Sequence, residues 1–495
     1  MLILGPGGTG KSKLIRAVTE TFSHYGKETT LAKCATTGVA AIEIGGTTVH
    51  SWACLMRSIP KGDDWIEKTT KATSEKRLTN TKDKDFIIID EISMADKAML
   101  YCVSEIVASA KGREGKGSAE EPFGGANIIL TGDFHQFPPV TNASGALYVD
   151  RTEDSKRAKI GREIFKQFDT VVILEDQKRA TDKRWIEILN NLRVGQCNFN
   201  DLDEIHKLVL TDPNCIQPDF QAQPWNDAIL ITPRHAVREA WNEQAVIKHC
   251  QTSGNLRYVV PAYDVHVDKK MVKELPMEAR LAVAKANPSE TGKLPDRVDI
   301  AIGMKAMVVL NLATEADIAN GTRGVIDSIV MDEREGLHPE SVNGTVILQY
   351  APVMVLFRPD RETRITFPGI EAGLIPITPS ESRFTVQGES GKKYRVSRQQ
   401  YAMTPAYSFT DYKSQGQTIE YVIIDIGKPP TGALSPFSIY VALSRSRGRD
   451  TIRLLRDFDE ALFQHHPSEA LRLDMERIKG LNVLTKKKWE EERKR

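Results

Sequence analysis

The chain has 495 residues, of which 40% are hydrophobic and 27% are charged, and its formal net charge is +1. This length suffices for about three domains, and the balanced charge excludes a uniformly positive nucleic-acid surface, so any such site must be a local basic groove. The sequence has no run of about 18 apolar residues and no secretory leader, and six scattered cysteines are typical of reduced thiols, so we expect an intracellular protein without a membrane span.

Continuous apolar runs predict buried strands. In chain order they cover residues 86–89, 128–130, 171–174, 229–231 and 422–424. Such runs are typical of a parallel sheet that is covered by helices on both faces. Apolar residues at helical spacing alternate with them, in one stripe that starts at Leu14 and another that starts at Trp185. The alternation predicts the α/β fold class with parallel sheets.

Other segments have a different texture. Between residues 301 and 400, short β-rich pieces at 306–310, 345–348 and 353–357 are separated by turn residues, which predicts a small β-barrel inserted in a second α/β domain. Residues 61–85 and 111–125 are rich in charged residues, glycine and threonine, which predicts surface loops. The last ten residues are mostly charged, which predicts a solvated helix end or a disordered tail.

Residues 5–12 match the phosphate-loop pattern G-x-x-x-x-G-K-S. Its members are Gly5, Pro6, Gly7, Gly8, Thr9, Gly10, Lys11 and Ser12. The loop lies between a short apolar strand and the Leu14 helix, which is the context that the motif requires. Glycines let backbone N–H groups turn toward phosphate oxygens, and the helix N-terminus adds its dipole. We predict that Lys11 reaches the outer phosphates and that Ser12 ligates Mg²⁺.

Two further polar segments follow predicted strands. Asp90 and Glu91 follow the run 86–89, where the end of a parallel strand lies beside the phosphate loop. Asp90 can hold Mg²⁺ and Glu91 can orient the attacking water. Gln136, in the segment 131–139, can hydrogen-bond both a γ-phosphate and a water. The alternative for both segments is a strand-ending cap or turn without a catalytic role.

Two arginines complete the candidate chemistry. Arg179 and Arg445 can stabilise charge on a transferring phosphoryl group, and a motor can supply such a side chain from a second domain. Single surface arginines usually have no such role, so this interpretation depends on the other motifs.

The complete set resembles the petite-integration-frequency family of 5′-to-3′ DNA helicases, in the RecD-like branch of superfamily one. The matching segments occur in family order over nearly the whole chain. They are residues 5–12, 36–41, 45–51, 89–94, 122–125, 132–139, 232–234, 320–324, 413–418 and 440–445. The ending, with residues 429–432 and 444–450, is most similar to helicases carried by fungal Helitron-type transposons.

The resemblance implies two RecA-like domains that hydrolyse ATP with Mg²⁺ in the cleft between them, and an SH3-like insert. The implied segments are domain 1A at 1–175, domain 2A at 176–300 and 401–460, insert 2B at 301–400, and a C-terminal helix with a charged tail at 461–495. The implied partners are single-stranded DNA and forked duplex DNA. We expect a monomeric motor that is located in the nucleus.

The resemblance also implies residue roles. Arg179 and Arg445 become arginine fingers that face the nucleotide across the cleft, while Lys11, Ser12, Asp90, Glu91 and Gln136 keep the roles given above. Nucleotide contacts are implied for Gly5, Gly7, Gly8, Thr9, Gly10 and Gly416. Single-strand contacts are implied for Thr36, Thr37, Gly38, His50, Thr410, Lys413, Ser414 and Gln415. Trp52 and Tyr407 are candidate base-stacking residues, with a place in the core as the alternative.

Three features depart from the family pattern. The chain begins four residues before Gly5, whereas relatives carry an upstream segment whose glutamine reads adenine. Tyr412 stands where many relatives have histidine. Arg179 lies in Gln-Lys-Arg, not in the commoner Phe-Arg-Gln, which makes Arg184 a second candidate for the finger.

Two other functions stay open at this point. One is a truncated transposon-derived remnant that binds nucleic acid without efficient ATP turnover. The other is a phosphotransferase that uses the same loop. The cellular process, whether repair, recombination, telomere maintenance or transposition, is also open.

Overall fold

The chain, in a computed structural model, divides into two compact units. Unit 1 comprises Met1–Pro233 and Thr410–Arg495, and unit 2 comprises Arg234–Phe409. The structure describes residues 1–56, 65, 66, 68–113, 115, 117, 118, 120–140, 143–268, 271–286, 290–312, 318–336, 341–361, 365–429 and 433–494. Residues 430–432, which belong to the transposon-like segment 429–432, lie outside these ranges.

Unit 1 begins with a parallel sheet of six strands. In chain order they are β1 (Leu2–Leu4), β2 (Leu31–Ala35), β3 (Thr47–Thr48), β4 (Phe86–Asp90), β5 (Asn127–Gly132) and β6 (Val171–Ile173). Their order across the sheet is β3-β2-β4-β5-β1-β6. Leu4 is in register with Gly132, and Ile89 is in register with Leu130. The ends of β1, β4 and β5 therefore lie at the same edge of the sheet, and the predicted parallel sheet is confirmed.

Eight helices accompany these strands in the described part of the first segment of unit 1. They are α1 (Lys11–His24), α2 (Gly38–Glu43), α3 (Val49–Trp52), α4 (Lys71–Thr81), α5 (Lys97–Arg113), α6 (Lys156–Lys166), α7 (Lys183–Arg193) and α8 (Phe199–His206). The stripe that starts at Trp185 is the buried face of α7, with Trp185, Ile188 and Leu192 in the core. Strand β7 (Ile229–Ile231) follows α8.

The prediction of a surface loop over residues 61–85 is wrong for α4. This helix begins after Thr70, whose side chain accepts a hydrogen bond from the backbone N–H of Thr73. Its sequence lacks an apolar stripe, so its helical period is not visible. Residues 57–64 and 67 lie outside the described ranges.

Unit 2 is largely β-structure. Its elements in chain order are α9 (His235–Ser253), β8 (Arg257–Pro261), β9 (Tyr263–Asp268), β10 (Met271–Glu274), α10 (Met277–Lys285), β11 (Arg297–Ile300), β12 (Lys305–Val308), β13 (Arg323–Val330), β14 (Thr345–Ile347), β15 (Met354–Pro359), β16 (Ile375–Ile377), β17 (Ser380–Gln387), β18 (Lys393–Gln400), β19 (Met403–Pro405) and β20 (Ser408–Phe409). The three predicted β-rich pieces are observed as β12, β14 and β15.

Three sheets organise these strands. Their strand orders are β10-β9-β18-β17, β11-β8-β14 and β16-β15-β13-β12-β19. The five-stranded sheet is antiparallel throughout and packs its apolar side chains, including Phe357 and Met403, into a common core. The four-stranded sheet packs against α10 through Ala279, Val283 and Val396.

The chain returns to unit 1 with α11 (Asp411–Ser414), β21 (Val422–Ile424), α12 (Pro436–Leu443), β22 (Ile452–Leu454), α13 (Ala461–Gln464) and α14 (Glu469–Glu492). Strand β21 pairs in parallel with β7 on one side and with β22 on the other. Helix α14 extends through most of the charged carboxyl-terminal residues, which confirms the prediction of a helix end. Among the described residues, we find no helix long and apolar enough to cross a membrane. All six cysteines are free thiols.

Candidate nucleotide site

The phosphate loop lies between β1 and α1. Gly8 and Gly10 have φ angles of 90° and 93°, a region that favours glycine. A Cβ atom on Gly8 would lie 2.2 Å from Gln177 Oε1, so a larger residue does not fit there. The Lys11 ammonium donates to the carbonyl oxygens of Gly5 (2.6 Å) and Pro6 (3.1 Å). Burial lowers the pKa of Lys11, against the opposing effect of nearby carboxylates.

A buried carboxylate pair ends β4 beside this loop. The hydroxyl of Thr131 donates to Asp90 Oδ1, and burial raises the pKa of Asp90. Glu91 has a left-handed φ of 53°, which sets its side chain at the strand end. Burial, together with the charge of Asp90, raises the pKa of Glu91 to about 7. The amide of Gln415 donates to Glu91 Oε2 at 3.1 Å, which connects the segment 413–418 to this carboxylate.

Three predicted side chains converge on Gly7. An ideal Cβ on Gly7 would lie 3.0 Å from Arg179 Nη1, 3.3 Å from Arg445 Nη2 and 3.5 Å from Gln136 Nε2. We call Gln136, Arg179 and Arg445 the Gly7 cluster. Within the described part of the chain, the buried Oε1 atom of Gln136 has no hydrogen-bond partner. Three residues that are distant in sequence thus place hydrogen-bond donors beside Gly7, and Gln136 also brings an acceptor oxygen there.

Hydrogen bonds hold both arginines in place. Arg179 Nε donates to Thr418 Oγ1 (2.9 Å), and its Nη1 donates to the carbonyl oxygen of Ser444 (3.1 Å). Arg445 Nε donates to the Val441 carbonyl (2.7 Å), and its Nη1 donates to the Gln417 carbonyl (3.1 Å). Burial and the nearby charge of Arg179 lower the pKa of Arg445 to about 9. Two guanidinium groups at such close range favour a bound anion.

Arg184, the second candidate for the finger, has a different environment. Its Nη2 atom donates to Asp201 Oδ1 at 2.7 Å, between α7 and α8. The structure therefore brings Arg179 to the phosphate loop and pairs Arg184 with a carboxylate elsewhere in unit 1.

The predicted single-strand contacts have varied settings. Thr36 Oγ1 donates to the carbonyl oxygen of Glu91 (2.8 Å), and Thr37 caps α2 by accepting from the Ala40 N–H (3.3 Å). His50 is exposed on α3. Ser414 is buried, and its hydroxyl donates to the Asp411 carbonyl at 2.6 Å.

The two candidate stacking residues are engaged in packing. Trp52 is buried in the core of unit 1, where its indole N–H donates to the Asn80 carbonyl at 3.1 Å. Tyr407 packs against the core of unit 2, and its hydroxyl accepts from the Lys305 N–H at 3.2 Å.

Sequence reasoning missed several residues of the site. Gln177 Nε2 donates to the Gly7 carbonyl (2.8 Å), and its Oε1 accepts from the Arg179 N–H (2.9 Å). Lys178 N–H donates to the Gly8 carbonyl at 2.9 Å. The segment 177–179 therefore grips the loop directly. The unusual Gln-Lys-Arg sequence of this segment marks it as different from the family pattern. The sequence does not show that the segment contacts the phosphate loop.

The donor set beside the loop fits Mg²⁺. Ser12 and Asp90 supply oxygen atoms, which Mg²⁺ prefers, and Mg²⁺ usually takes one or two carboxylates with substrate phosphates. Among the described residues, no group of three or more His, Cys, Asp or Glu side chains could hold a metal ion.

These features are typical of P-loop nucleotide-binding sites: a parallel sheet, a glycine loop after β1 at its carboxyl edge, and a carboxylate pair at the end of β4, from which β1 is separated by β5. Residues 1–203 match the model of the PIF1-like helicase family. The chain is 26% identical over 471 residues to the "ATP-dependent DNA helicase PIF1" of Xenopus laevis, covering 94% of this chain and 60% of that protein. It is 26% identical over 491 residues to the "ATP-dependent DNA helicase RRM3" of Saccharomyces cerevisiae, covering 92% and 62%.

Solved structures share the fold. A crystal structure of Pif1 helicase from Candida albicans superposes with a TM-score of 0.66 at 24% identity, covering 97% of this chain and 95% of that one. A Bacteroides Pif1 bound to ssDNA gives 0.62 at 22% identity, covering 96% and 92%. The chain is similar to PIF1-like helicases, and it spans about three fifths of the length of the curated relatives.

Proposed function

We propose that this protein is an ATP-dependent DNA helicase that translocates on single-stranded DNA from 5′ to 3′. The observation that carries the proposal is the convergence of Gln136, Arg179 and Arg445 on Gly7 of the phosphate loop. Relatives described as ATP-dependent DNA helicases support the activity, and a Bacteroides Pif1 complex with ADP-AlF3 and ssDNA supports the pairing of nucleotide and single strand.

The residues divide the chemistry of ATP hydrolysis among them. Loop amides and Lys11 bind the phosphates, and Glu91 orients the attacking water. Gln136 offers its spare Oε1 atom to the same water. Arg179 and Arg445 neutralise the negative charge that develops on the transferring phosphoryl group. Mg²⁺, held by Ser12 and Asp90, would neutralise charge on the phosphate oxygens.

The hydrogen bond between Gln415 and Glu91 supports coupling between DNA and hydrolysis. Gln415 lies in the segment 413–418, to which we assign single-strand contacts, while Glu91 belongs to the hydrolytic centre. If DNA binding moves the segment 413–418, it would also change the position of the Glu91 carboxylate. Thr36 has a similar link through its bond to the Glu91 carbonyl.

The finer family features belong to the same proposal. They are two RecA-like domains at 1–175 and at 176–300 with 401–460, an SH3-like insert at 301–400, the RecD-like branch, and a Helitron-type origin. The catalytic cleft would lie between the two RecA-like domains. The motor would act as a nuclear monomer on single-stranded and forked duplex DNA.

The test is ATP hydrolysis by the full chain with and without single-stranded DNA. We expect DNA to stimulate the wild type, and Lys11→Ala to lower kcat by about 100-fold or more because it removes charge stabilisation at the phosphates. Lys13→Ala, which changes an exposed lysine two residues away, is the matched control. Forked substrates with a 5′ or a 3′ tail then test the direction.

The alternatives give different results. A wild type that binds single-stranded DNA but does not hydrolyse ATP, with or without DNA, would support a remnant and sink the helicase proposal. Transfer of phosphate to a small acceptor in place of DNA-stimulated hydrolysis would support a phosphotransferase.

A further inference from the structure

A buried ion pair joins the carboxyl end of α7 to the loop that carries Gln136. Arg193 is the last residue of α7, and its Nη2 atom donates to Asp133 Oδ1 at 2.6 Å. Asp133 is fully buried. Burial alone would raise the pKa of Asp133, but Arg193 and His135 hold that pKa below its ordinary range. The carboxylate is therefore charged, and removing Arg193 would leave it without the guanidinium that pairs with it.

Asp133 fixes the turn that presents Gln136. The Gln136 N–H donates to the Asp133 carbonyl at 2.9 Å, and the His135 N–H donates to Asp133 Oδ1 at 3.2 Å. The other carboxylate oxygen, Oδ2, accepts from the Tyr440 hydroxyl at 3.2 Å. Tyr440 lies in α12, which ends two residues before Arg445. One carboxylate thus links the Gln136 turn, α7 and the helix that leads to Arg445.

The opposite end of α7 is tied to the segment that follows Arg445. The indole N–H of Trp185 donates to Ser446 Oγ at 2.9 Å. Asp182, which caps the start of α7, accepts from Arg449 Nε at 2.7 Å. Arg179 precedes this cap by three residues. Helix α7 is therefore anchored at both ends to segments that carry members of the Gly7 cluster.

We propose that Arg193 is a positioning residue that acts through Asp133 to hold the Gln136 side chain in a fixed position relative to Arg445 during ATP hydrolysis. This inference rests on the proposed function. Arg193 bonds to Asp133 and also interacts with the Tyr440 hydroxyl, which itself donates to the same carboxylate, so Asp133 is the link from Arg193 to the Gln136 turn. Because reacting groups need near-attack geometry, a displacement of about 1 Å can lower a rate by about 100-fold.

The first experiment compares Arg193→Gln with Arg184→Gln, which makes the same substitution on the same helix at an ion pair away from the loop. Both full-length variants are measured for ATP hydrolysis with saturating single-stranded DNA. We expect Arg193→Gln to lower kcat by about 10- to 100-fold, with the KM for ATP changed by less than about threefold. We expect Arg184→Gln to stay within about twofold of the wild type on both parameters.

The second experiment asks whether the effect passes through Gln136. In a Gln136→Ala background, adding Arg193→Gln should lower kcat by less than about twofold further, because the group to be positioned is absent. A purely structural loss would instead multiply with the Gln136→Ala loss. Tyr440→Phe, which removes one hydroxyl and keeps the ring, should lower kcat by about 3- to 10-fold in the wild-type background and by less than about twofold beside Gln136→Ala.

The outcomes separate the two claims. A wild type without ATP hydrolysis overturns the proposed function, and the positioning role with it. If the wild type hydrolyses ATP, two results would overturn the positioning role alone. One is wild-type kcat in both Arg193→Gln and Tyr440→Phe. The other is a kcat loss in these variants that multiplies with the loss caused by Gln136→Ala. If Arg193→Gln does not fold, the Tyr440→Phe cycle decides.

Discussion

Asp411 shows how burial at one residue controls the pH dependence of stability. Its side chain is 7% exposed, and burial raises its pKa to about 6, although the Tyr412 N–H donates to Oδ1 at 3.0 Å. In an unfolded chain the pKa of aspartate is about 3.9. The folded state therefore holds the Asp411 proton more tightly than the unfolded state does. The contribution of this group to the free energy of unfolding is complete below the pKa of the unfolded state, and it is lost as pH rises through the pKa of the folded state.

Asp411→Asn should remove the loss of stability that a buried charged carboxylate causes at high pH, and it keeps an acceptor for the Tyr412 N–H. We expect the free energy of unfolding at pH 8 to exceed that of the wild type by about 1–3 kcal/mol, and the excess to fall to about half at pH 5. Urea denaturation at the two pH values measures the difference. An equal excess at both pH values, or a loss of stability at pH 8, would show that the carboxyl is not titrating as described.

Residues of the site differ in how far the sequence predicts them. The loop, Asp90 and Glu91 follow strands directly, so strand and motif patterns locate them. Asp133 and Arg193 are separated by 60 residues, and Asp133 and Tyr440 by 307. Their contacts depend on the packing of α7 against α12, and no local pattern encodes that packing.

At the scale of elements, α14 completes the edge of the first sheet. Strand β6 pairs with β1 on one side, and on the other its N–H groups meet side chains of the helix. The Ile173 N–H donates to Asn482 Oδ1 (3.0 Å), and the Val171 N–H donates to Thr485 Oγ1 (2.9 Å). An edge strand whose donors are satisfied in this way does not offer a template for pairing with another chain.

The double variant Asn482→Leu with Thr485→Val should unfold more easily, because two strand N–H groups lose their acceptors. Each buried donor left unpaired costs about 1–3 kcal/mol, so we expect a total loss of about 2–6 kcal/mol in the free energy of unfolding. Leu484→Ala is the control, because it changes an exposed side chain of the same helix and should cost less than about 0.5 kcal/mol. Chemical denaturation of the three proteins settles the matter, and equal midpoints would refute the capping role.

Elements with a strong apolar signal were predictable, and those without one were not. Continuous apolar runs form most of four strands and predict their burial on both faces of the sheet. These strands are β4, β5, β7 and β21. Helix α4 is mostly polar and was predicted as a loop. In the same way, β9 alternates charged and apolar residues over only six positions, too few to stand out from a loop.

At the scale of the whole molecule, the chain leaves unit 1 after Pro233 and returns at Thr410. Every residue assigned to ATP hydrolysis, from Lys11 to Arg445, belongs to unit 1. The two buried clusters around Phe357 and around Val396 consist of residues from unit 2. Units with their own hydrophobic cores can fold independently.

Residues 234–409 produced alone should therefore unfold cooperatively, since their sheets and core contacts are internal to the fragment. Circular dichroism should show β-structure and a sigmoidal urea transition, and Phe357→Ala in the fragment should lower the free energy of unfolding by about 3–5 kcal/mol through loss of core packing. The exposed Tyr263→Ala provides the control within the same fragment. A fragment with no cooperative transition, or one indifferent to Phe357→Ala, would mean that unit 2 depends on the rest of the chain for its core. If unit 2 folds independently, Phe357→Ala should leave the nucleotide affinity of the full chain unchanged.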